Sequence, residues 1–193
     1  MRTAVLFVAL PGTGKTAIGA QLARELPNTK RIEQDDHYTG RAADHRAYLG
    51  AIRRGIRRHN LVLCKNHHTV AQRAEVLAAL RGRARVLVVN LVPRGLAALA
   101  REERDAHLDR LLDRIAGRGD GSSHLVIDGA HSRARARAIL KHAFWRAFEE
   151  PTEPALGAVL HLDYTASAAA NAATIRRALA ERDSRQVLAR GDT

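Results

Sequence analysis

The sequence predicts an α/β fold in which a parallel five-stranded sheet is flanked by helices on both faces. Strand-length apolar runs recur along the 193 residues, helical patterns of Leu, Ile and Ala separate them, and a glycine loop joins the first run to the first helix. Continuous apolar runs are typical of strands buried on both faces. Their alternation with helices predicts a parallel sheet.

The predicted elements follow one another along the whole chain. Strands are predicted at residues 3–10, 31–34, 60–64, 85–92 and 158–162. Helices are predicted at residues 15–26, 41–58, 70–80, 94–116, 132–148 and 167–182. Residues 125–129 fit either a strand that ends in an acid, Asp128, or a loop that leads into the next helix. The length favours one domain over residues 1–183, followed by a frayed C-terminal tail at residues 184–193.

Composition favours a soluble intracellular protein that binds a polyanion. The formal net charge is +12, and all but four of the 32 basic residues are arginines, whose planar guanidinium suits phosphates and stacks on bases. Arginine clusters at residues 53–58 and 133–137 form either a basic stripe or solvated helix faces. The single cysteine, Cys64, excludes an internal disulfide and offers no zinc spacing. No apolar run reaches membrane-spanning length, and the first one is interpreted as a strand rather than a signal peptide.

The loop at residues 9–16 reads Ala-Leu-Pro-Gly-Thr-Gly-Lys-Thr, between a predicted strand and a predicted helix. Backbone N–H groups of such a loop wrap phosphates, aided by the positive end of the following helix. We expect Lys15 to neutralise the β and γ phosphates of a nucleoside triphosphate and the Thr16 hydroxyl to hold Mg²⁺. The predicted nucleotide-binding residues of the loop are Pro11, Gly12, Thr13, Gly14, Lys15 and Thr16. This pattern predicts a phosphotransferase.

Acidic residues follow the second predicted strand. Asp35 and Asp36 lie where the carboxyl ends of parallel strands face the ligand crevice. A carboxylate there can orient an acceptor hydroxyl or take its proton, as a kinase requires. The alternative is that these acids cap the next helix or lie in a solvated turn. Beside the phosphate-binding loop, the functional interpretation is favoured.

A third segment, Asn-His-His-Thr at residues 66–69, follows the third predicted strand. Consecutive histidines without other ligands at metal spacing disfavour a transition-metal site. Hydrogen bonding to substrate is favoured over metal binding, and helix capping by Thr69 beside exposed histidines is the alternative.

The fourth segment, residues 110–124, is rich in arginine and glycine. It forms either a mobile lid whose arginines reach the transferring phosphoryl group, or a helix C-terminus with basic residues against the helix dipole.

The four segments together resemble the kinase domain of the fungal-type tRNA ligases, relatives of the polynucleotide 5′-hydroxyl kinases. The resemblance spans residues 5–179, and the family's loop also begins with alanine. Residues 33–40 are similar to the family's Gln-Asn-Asp-Asp-x-Thr-Gly element, and residues 64–68 to its Asp-Arg-Asn-Asn-His segment. Residues 114–124 resemble its Arg-x-x-x-Arg-Gly lid, and residues 160–164 its last strand, which leads towards the nucleobase side.

The resemblance implies an RNA 5′-hydroxyl kinase that transfers the γ-phosphoryl group of GTP or ATP, with Mg²⁺, to an RNA 5′-OH end before ligation, for example on tRNA exon halves. It implies that Asp35 is the general base and that Arg114 and Arg118 are lid arginines, Arg118 also contacting the nucleotide. The lid then covers about residues 114–124. The implied acceptor-binding residues are Asp35, Asp36, Lys65, Asn66, His68 and Arg73. Ligase and phosphoesterase domains or proteins are implied partners, whether the chain is an excised domain or acts alone.

Two departures from the family pattern follow the third strand. Cys64 replaces an acid, so that an outer-shell magnesium contact is either missing or supplied by Asp36 through water. Lys65 replaces an arginine, whose two-pronged phosphate grip a lysine lacks. The family pattern also makes residues 125–129 a connection rather than a strand, which removes Asp128 as a magnesium candidate.

Three questions stay open on the sequence alone. The resemblance implies GTP preference, but the sequence holds no Asn-Lys-x-Asp motif that would read the base, so the donor is GTP or ATP. A kinase of a small metabolite or antibiotic hydroxyl would use the same loop and Asp35. A non-catalytic, nucleotide-gated RNA-binding module would use the loop without chemistry at Asp35.

Overall fold

A five-stranded sheet forms the centre of the computed structural model, which describes residues 1–37, 43–117 and 130–191. The strands are β1 (Arg2–Val8), β2 (Thr29–Glu33), β3 (Asn60–Cys64), β4 (Ala84–Asn90) and β5 (Val159–His161). They lie in the order β2-β3-β1-β4-β5, and each neighbouring pair is parallel. The predicted parallel α/β sheet is confirmed, and β3 begins and ends where the sequence predicts.

Six α-helices in the described residues flank this sheet. They are α1 (Lys15–Glu25), α2 (Ala43–Gly55), α3 (Val70–Leu80), α4 (Arg101–Ala116), α5 (Ala130–Ile139) and α6 (Ala168–Gly191). The predicted helix at residues 94–116 is divided into a short 3-10 turn, Leu96–Ala98, and α4, because the backbone of Leu99 is extended. A π-helical turn, Leu140–Trp145, continues α5. Helix α6 runs through Gly191, so the tail expected to fray after residue 182 is helical over most of its length.

The side chains of β1 alternate between two hydrophobic clusters, as a strand buried on both faces requires. Val5 and Phe7 face the cluster formed with α1, α4, α5 and α6. Leu6 and Val8 face the cluster formed with α2 and α3. All four side chains are at most 1% exposed. The sheet is therefore covered on both faces, and its carboxyl edge is left for polar loops.

The loops that follow β1 and β3 are joined at this edge. The backbone N–H of Ala9 donates to the carbonyl oxygen of Asn66 over 2.7 Å, one residue past the end of β1. Because the strands are parallel, the segments after β1, β2 and β3 lie at the same edge.

The described helices include none with the length and apolar character needed to cross a bilayer.

Two arginines of the cluster at residues 133–137 are paired within the protein. Arg137 bonds to Asp105 at 2.9 Å and also to Asp109. Arg133 bonds to Asp113 at 2.9 Å. These pairs join α5 to α4, so Arg133 and Arg137 are not the open basic stripe that the sequence allowed.

Much of the predicted lid, residues 118–124, lies outside the described residues, as do residues 125–129.

Candidate functional site

The glycine loop has the backbone conformation that phosphate binding requires. Gly12 and Gly14 have φ values of 89° and 88°, in the left-handed region that favours glycine. Space is also short at both positions. A Cβ on Gly12 would lie 2.7 Å from the carbonyl oxygen of Leu111, and one on Gly14 would lie 2.8 Å from Nη2 of Arg114. Glycine is therefore needed at both positions for conformation, and at Gly12 also for packing against the backbone of α4.

Arg114 is held directly on this loop. Its Nε donates to the carbonyl oxygen of Gly12 over 2.9 Å, and the rest of its guanidinium lies beside Gly14. The last turn of α4 thus places a cation at the glycine loop. The role expected of Arg114 stays a prediction. The other expected lid arginine, Arg118, lies outside the described residues.

The amino end of α1 is open to an anion. Gly14 is the N-cap residue and has no side chain to cap the helix, and the first turn contains no acidic residue. The first backbone N–H groups of a helix lack intrahelical partners and carry partial positive charge. Thr13 is fixed beneath the loop by a hydrogen bond from its hydroxyl to the Leu10 carbonyl oxygen, 2.9 Å away. Lys15 begins the helix at this end.

Thr16, the predicted magnesium ligand, has a carboxylate neighbour that the sequence analysis did not single out. The Thr16 hydroxyl donates to Oε2 of Glu33 over 3.4 Å. Glu33 is the last residue of β2, and its other oxygen bonds to Nε of Arg31 at 2.8 Å. A hydroxyl and a carboxylate are the oxygen donors that Mg²⁺ prefers. This pair fits the ion that the loop implies.

Cys64 lies beside Glu33 at the carboxyl edge of the sheet. The two residues are register partners in β3 and β2. The Cys64 side chain is 3% exposed, and Sγ donates to the carbonyl oxygen of Lys15 over 3.6 Å. Burial and the nearby Glu33 charge raise the pKa of Cys64 to about 12, which keeps it a neutral thiol.

Asp35 and Asp36 form a short 3-10 turn with His37 directly after β2. Both carboxylates are exposed at the carboxyl edge of the sheet. The turn sets them two and three residues beyond Glu33, the last residue of β2. The role expected of Asp35 stays a prediction. The following part of the family-like element, residues 38–40, lies outside the described residues.

Lys65 is a buried cation held by a chain of polar contacts. Lys65 is 6% exposed, and its Nζ donates to Nδ1 of His45 over 3.1 Å. Nε2 of His45 in turn donates to Oε2 of Glu75 over 2.6 Å. Nζ also lies 5.3 Å from the centre of the Tyr48 ring. Burial lowers the pKa of Lys65, and the charge of Glu75 partly opposes this shift.

His67 is fully buried, and its backbone has a positive φ of 43°. Its Nδ1 donates to the Phe7 carbonyl oxygen at 2.8 Å, and its Nε2 accepts from the Tyr48 hydroxyl at 3.1 Å. Burial lowers the pKa of His67 to about 3, so the ring is neutral. His67 therefore links β1 to α2 through these two hydrogen bonds.

No group of three or more His, Cys, Asp or Glu in the described residues could hold a metal ion.

Asn66 and His68 keep polar atoms for other partners. Oδ1 of Asn66 and Nδ1 of His68 are buried, and neither has a hydrogen-bond partner within the described parts of the chain. Buried polar atoms usually have a partner, so these two atoms are available to hydrogen-bond a ligand. Thr69 caps α3 by accepting from the Gln72 N–H at 3.3 Å, as the alternative interpretation proposed. The histidines beside it are buried rather than exposed.

Arg73 is not available to an acceptor, which corrects the sequence expectation. Its side chain is fully buried and grips Glu153 with two hydrogen bonds, Nε to Oε1 at 2.6 Å and Nη2 to Oε2 at 3.0 Å. Nη1 donates to the carbonyl oxygens of His67 and Glu149, and Nη2 also to that of Glu150. With its donors used inside the protein, Arg73 joins α3 to the segment before β5.

No protein-family model and no curated protein sequence matches this chain. A fungal RNA kinase structure is similar at a TM-score of 0.60 and 16% identity, over 84% of this chain and 75% of that one. A gluconokinase from Sinorhizobium meliloti 1021 is similar at a TM-score of 0.59 and 15% identity, over 94% of this chain and 99% of that one.

A third similar structure is a shikimate kinase from Acinetobacter baumannii in complex with shikimate. Its TM-score is 0.55 and its identity 16%, over 94% of this chain and 95% of that one. These kinases share a fold but have different acceptors in their names. At this identity the similarity shows the fold alone, and that fold is the P-loop kinase fold.

Proposed function

We propose that this protein is an RNA 5′-hydroxyl kinase that transfers the γ-phosphoryl group of GTP or ATP to a 5′-OH RNA end. The observation that carries the proposal is the assembly of three groups at one sheet edge: the glycine loop with Arg114, the Asp35 turn, and the buried cation Lys65. The net charge of +12 and the similarity to a fungal RNA kinase support a polyanionic acceptor.

In this proposal each group has one role in the transfer. Asp35 orients the RNA 5′-hydroxyl and accepts its proton as the oxygen attacks the γ-phosphorus and the bond to the β-phosphate oxygen breaks. Lys15 and Arg114 offset the charge that spreads over the phosphoryl oxygens. Lys65 and Asn66 contact the phosphate of the acceptor's terminal nucleotide, and His68 offers a further hydrogen bond. Arg118 completes the lid over the nucleotide.

Mg²⁺ would bind at the Thr16 hydroxyl, with Glu33 holding its waters. When bound, the ion would offset the negative charge of the donor's phosphates. We assign the outer-shell contact to Glu33 rather than to Asp36, because Glu33 already accepts from Thr16. Asp36 then serves the acceptor side of the site.

A label-transfer assay tests the proposal. The protein is incubated with γ-labelled GTP or ATP, MgCl₂ and a 5′-OH RNA oligomer, and matched reactions contain a 5′-OH DNA oligomer, gluconate or shikimate. We expect label at the RNA 5′ end. Label only on a small hydroxyl compound would replace the proposal with a metabolite kinase. Nucleotide-dependent RNA binding without transfer to any acceptor would indicate a non-catalytic module.

The role of Asp35 is tested by Asp35→Asn, with Asp36→Asn as the matched control. Base catalysis contributes about 10²–10⁴ in rate, so we expect a loss of that size in kcat for Asp35→Asn with a smaller change in KM for nucleotide. A rate within a few-fold of wild type would contradict this mechanism.

The 5′-phosphorylated product is the end that a ligation reaction consumes, so ligase and phosphoesterase proteins are the proposed functional partners.

A further inference from the structure

A groove beside the edge strand β2 is lined by basic side chains that have no role in the proposed phosphoryl transfer. It has a volume of about 580 Å³ and lies between β2 and the C-terminal half of α2. Its charged and histidine lining residues are Lys30, Arg31, Asp36, His37, Arg54, Arg57, Arg58 and His59. We name it the basic groove. Five of these side chains are lysine or arginine, and one is a carboxylate.

Most of the basic side chains of the groove have no ion-pair partner among the described residues. Arg31 pairs with Glu33. The ion pairs of the described ranges do not include Lys30, Arg54, Arg57 or Arg58, and all four residues are exposed. The arginines of α5 differ, since Arg133 and Arg137 bond to acids of α4. The basic groove thus holds a concentrated positive potential that an anionic partner would neutralise.

Stabilisation of α2 does not account for this arrangement. Cations near the end of a helix offset its dipole, but each contributes only about 0.3–1 kcal/mol and the effect fades within the last turn. α2 ends at Gly55, so Arg57 and Arg58 lie beyond it. Lys30 and Arg31 belong to β2, on the other wall of the groove. Cations from two elements therefore converge on one concave surface.

The basic groove is continuous with the candidate acceptor site. Asp36 and His37 lie at one end of its lining, directly beside Asp35 in the same 3-10 turn. His59 lies at the other end, next to the first residue of β3, where its Nδ1 bonds to Oδ1 of Asn28 at 2.7 Å. The groove therefore follows β2 from the carboxyl edge of the sheet to the opposite edge, a path of about 17 Å for five strand residues.

We propose that the basic groove binds the phosphate backbone of the RNA strand behind its 5′-terminal nucleotide. This inference rests on the proposed function for its direction, because the 5′-hydroxyl must reach Asp35 while the rest of the strand leaves along β2. Arginine forks suit phosphate oxygens, and most of the charged lining is arginine, which favours binding of the RNA backbone. The groove thus favours longer acceptors without selecting their sequence.

The test compares acceptors of two lengths with the triple variant Arg54→Ala/Arg57→Ala/Arg58→Ala. We expect the KM for a 5′-OH 12-mer RNA to rise tenfold or more, while KM for a 5′-OH dinucleotide and kcat for both acceptors stay within about twofold. Fluorescence anisotropy of a labelled 12-mer should show a shallower dependence of log affinity on log salt, by about 2 for three lost phosphate contacts on a single strand.

Matched controls separate this effect from a general loss of charge. Arg81→Ala/Arg83→Ala/Arg177→Ala removes the same charge from exposed positions outside the groove and should leave both acceptors unchanged. Arg53→Ala tests an exposed arginine of α2 that is not part of the lining. Lys30→Ala provides a second groove variant, on β2, and should raise the KM of the 12-mer only. Circular dichroism and the thermal midpoint show that each variant is folded.

The possible failures are distinguishable. If wild-type protein phosphorylates RNA but the groove and control variants behave alike, the groove proposal is wrong and the proposed function stands. If wild-type protein transfers phosphate to no RNA yet binds the 12-mer through Arg54, Arg57 and Arg58, the proposed function is wrong and the groove still binds RNA. If an oligoglutamate peptide of matched charge competes as well as RNA, the groove is a site for acidic protein segments and the proposal is overturned.

Discussion

A single carboxylate, that of Glu33, links the edge strand β2 to the first turn of α1. It accepts from the Thr16 hydroxyl and pairs with Arg31, while its register partner Cys64 is a neutral buried thiol. At the scale of the residue, the proposed magnesium contact therefore depends on a carboxylate of β2 rather than of β3.

We predict that Glu33→Gln weakens magnesium binding. Groups that orient metal ligands typically contribute 10–100-fold to metal affinity. The Mg²⁺ concentration for half-maximal binding of a fluorescent GDP or ADP analogue should therefore rise about tenfold, as measured by titration without any turnover. Asp36→Asn is the control and should leave this concentration unchanged. The reverse pattern would return the magnesium contact to Asp36.

Arg73 is the residue that sequence reasoning misplaced, and it carries a stability prediction. Glu153→Gln leaves the buried guanidinium without its charged partner, and breaking a buried pair costs about 3–5 kcal/mol. Because the Glu153 side chain is 20% exposed, we expect the unfolding free energy to fall by about 2–3 kcal/mol. Urea unfolding measures this change, with Glu181→Gln as an exposed control expected to change it by less than about 0.5 kcal/mol. Equal values for the two variants would contradict the role assigned to Arg73.

The positions of candidate site residues could be predicted from the sequence where they depend on backbone conformation or on the end of a strand. Gly12, Gly14 and Asp35 lie where their motifs place them, at the carboxyl edge. Arg73 could not be placed, because an arginine at this spacing on α3 fits an exposed or a buried face. Only the distant Glu153, eighty positions along the chain, decides between them.

At the scale of the element, α1 packs so closely on β3 that one position tolerates only glycine. A Cβ on Gly19 would lie 2.3 Å from Sγ of Cys64 and 3.3 Å from Cγ1 of Val62. Real Cβ atoms do not approach another atom this closely. The helix that begins at the phosphate loop is thus held against the strand by a missing side chain on one element and a small one on the other.

We predict a coupling between these two positions. Gly19→Ala should lower the unfolding free energy by about 1–3 kcal/mol, the usual cost of overpacking. Cys64→Ala removes the nearest atom and should recover at least half of this loss in the double variant, as measured by a double-mutant cycle in urea. Additive effects of the two substitutions would show that the contact is not the cause.

Elements were more predictable than their ends. The runs that became β1, β3 and β4 are apolar on both faces, and this pattern identifies a buried strand without knowledge of its neighbours. The break before α4 was missed because the extended backbone of Leu99 leaves no periodic signal. The length of α6 was underestimated because its last turns lack an apolar stripe that would mark them as helix.

At the scale of the whole molecule, buried neutral histidines make stability depend on pH. Burial lowers the pKa of His67 to about 3, against about 6.5 in an unfolded chain. Burial also lowers the pKa of His68, His107 and His161. The unfolded chain therefore binds more protons below pH 6.5, so stability is full above that value and falls as the pH decreases towards 3.

We predict that His67 alone removes about 2 kcal/mol of stability between pH 8 and pH 5, from the cost of keeping one histidine neutral. Urea unfolding at the two pH values measures the difference. In His67→Asn, which retains a residue that tolerates a positive φ, the difference should be smaller by about that amount. An unchanged difference in the variant would show that other groups cause the loss.

The cations of the basic groove have a second consequence, for the protein without RNA. β2 is an edge strand, and an open edge offers unpaired backbone groups to a strand of another chain. Lys30 and Arg31 lie in the middle of this edge. A second copy approaching edge to edge would bring like charges together and lose their hydration. The surface proposed to guide RNA thus also protects the sheet from self-association and aggregation.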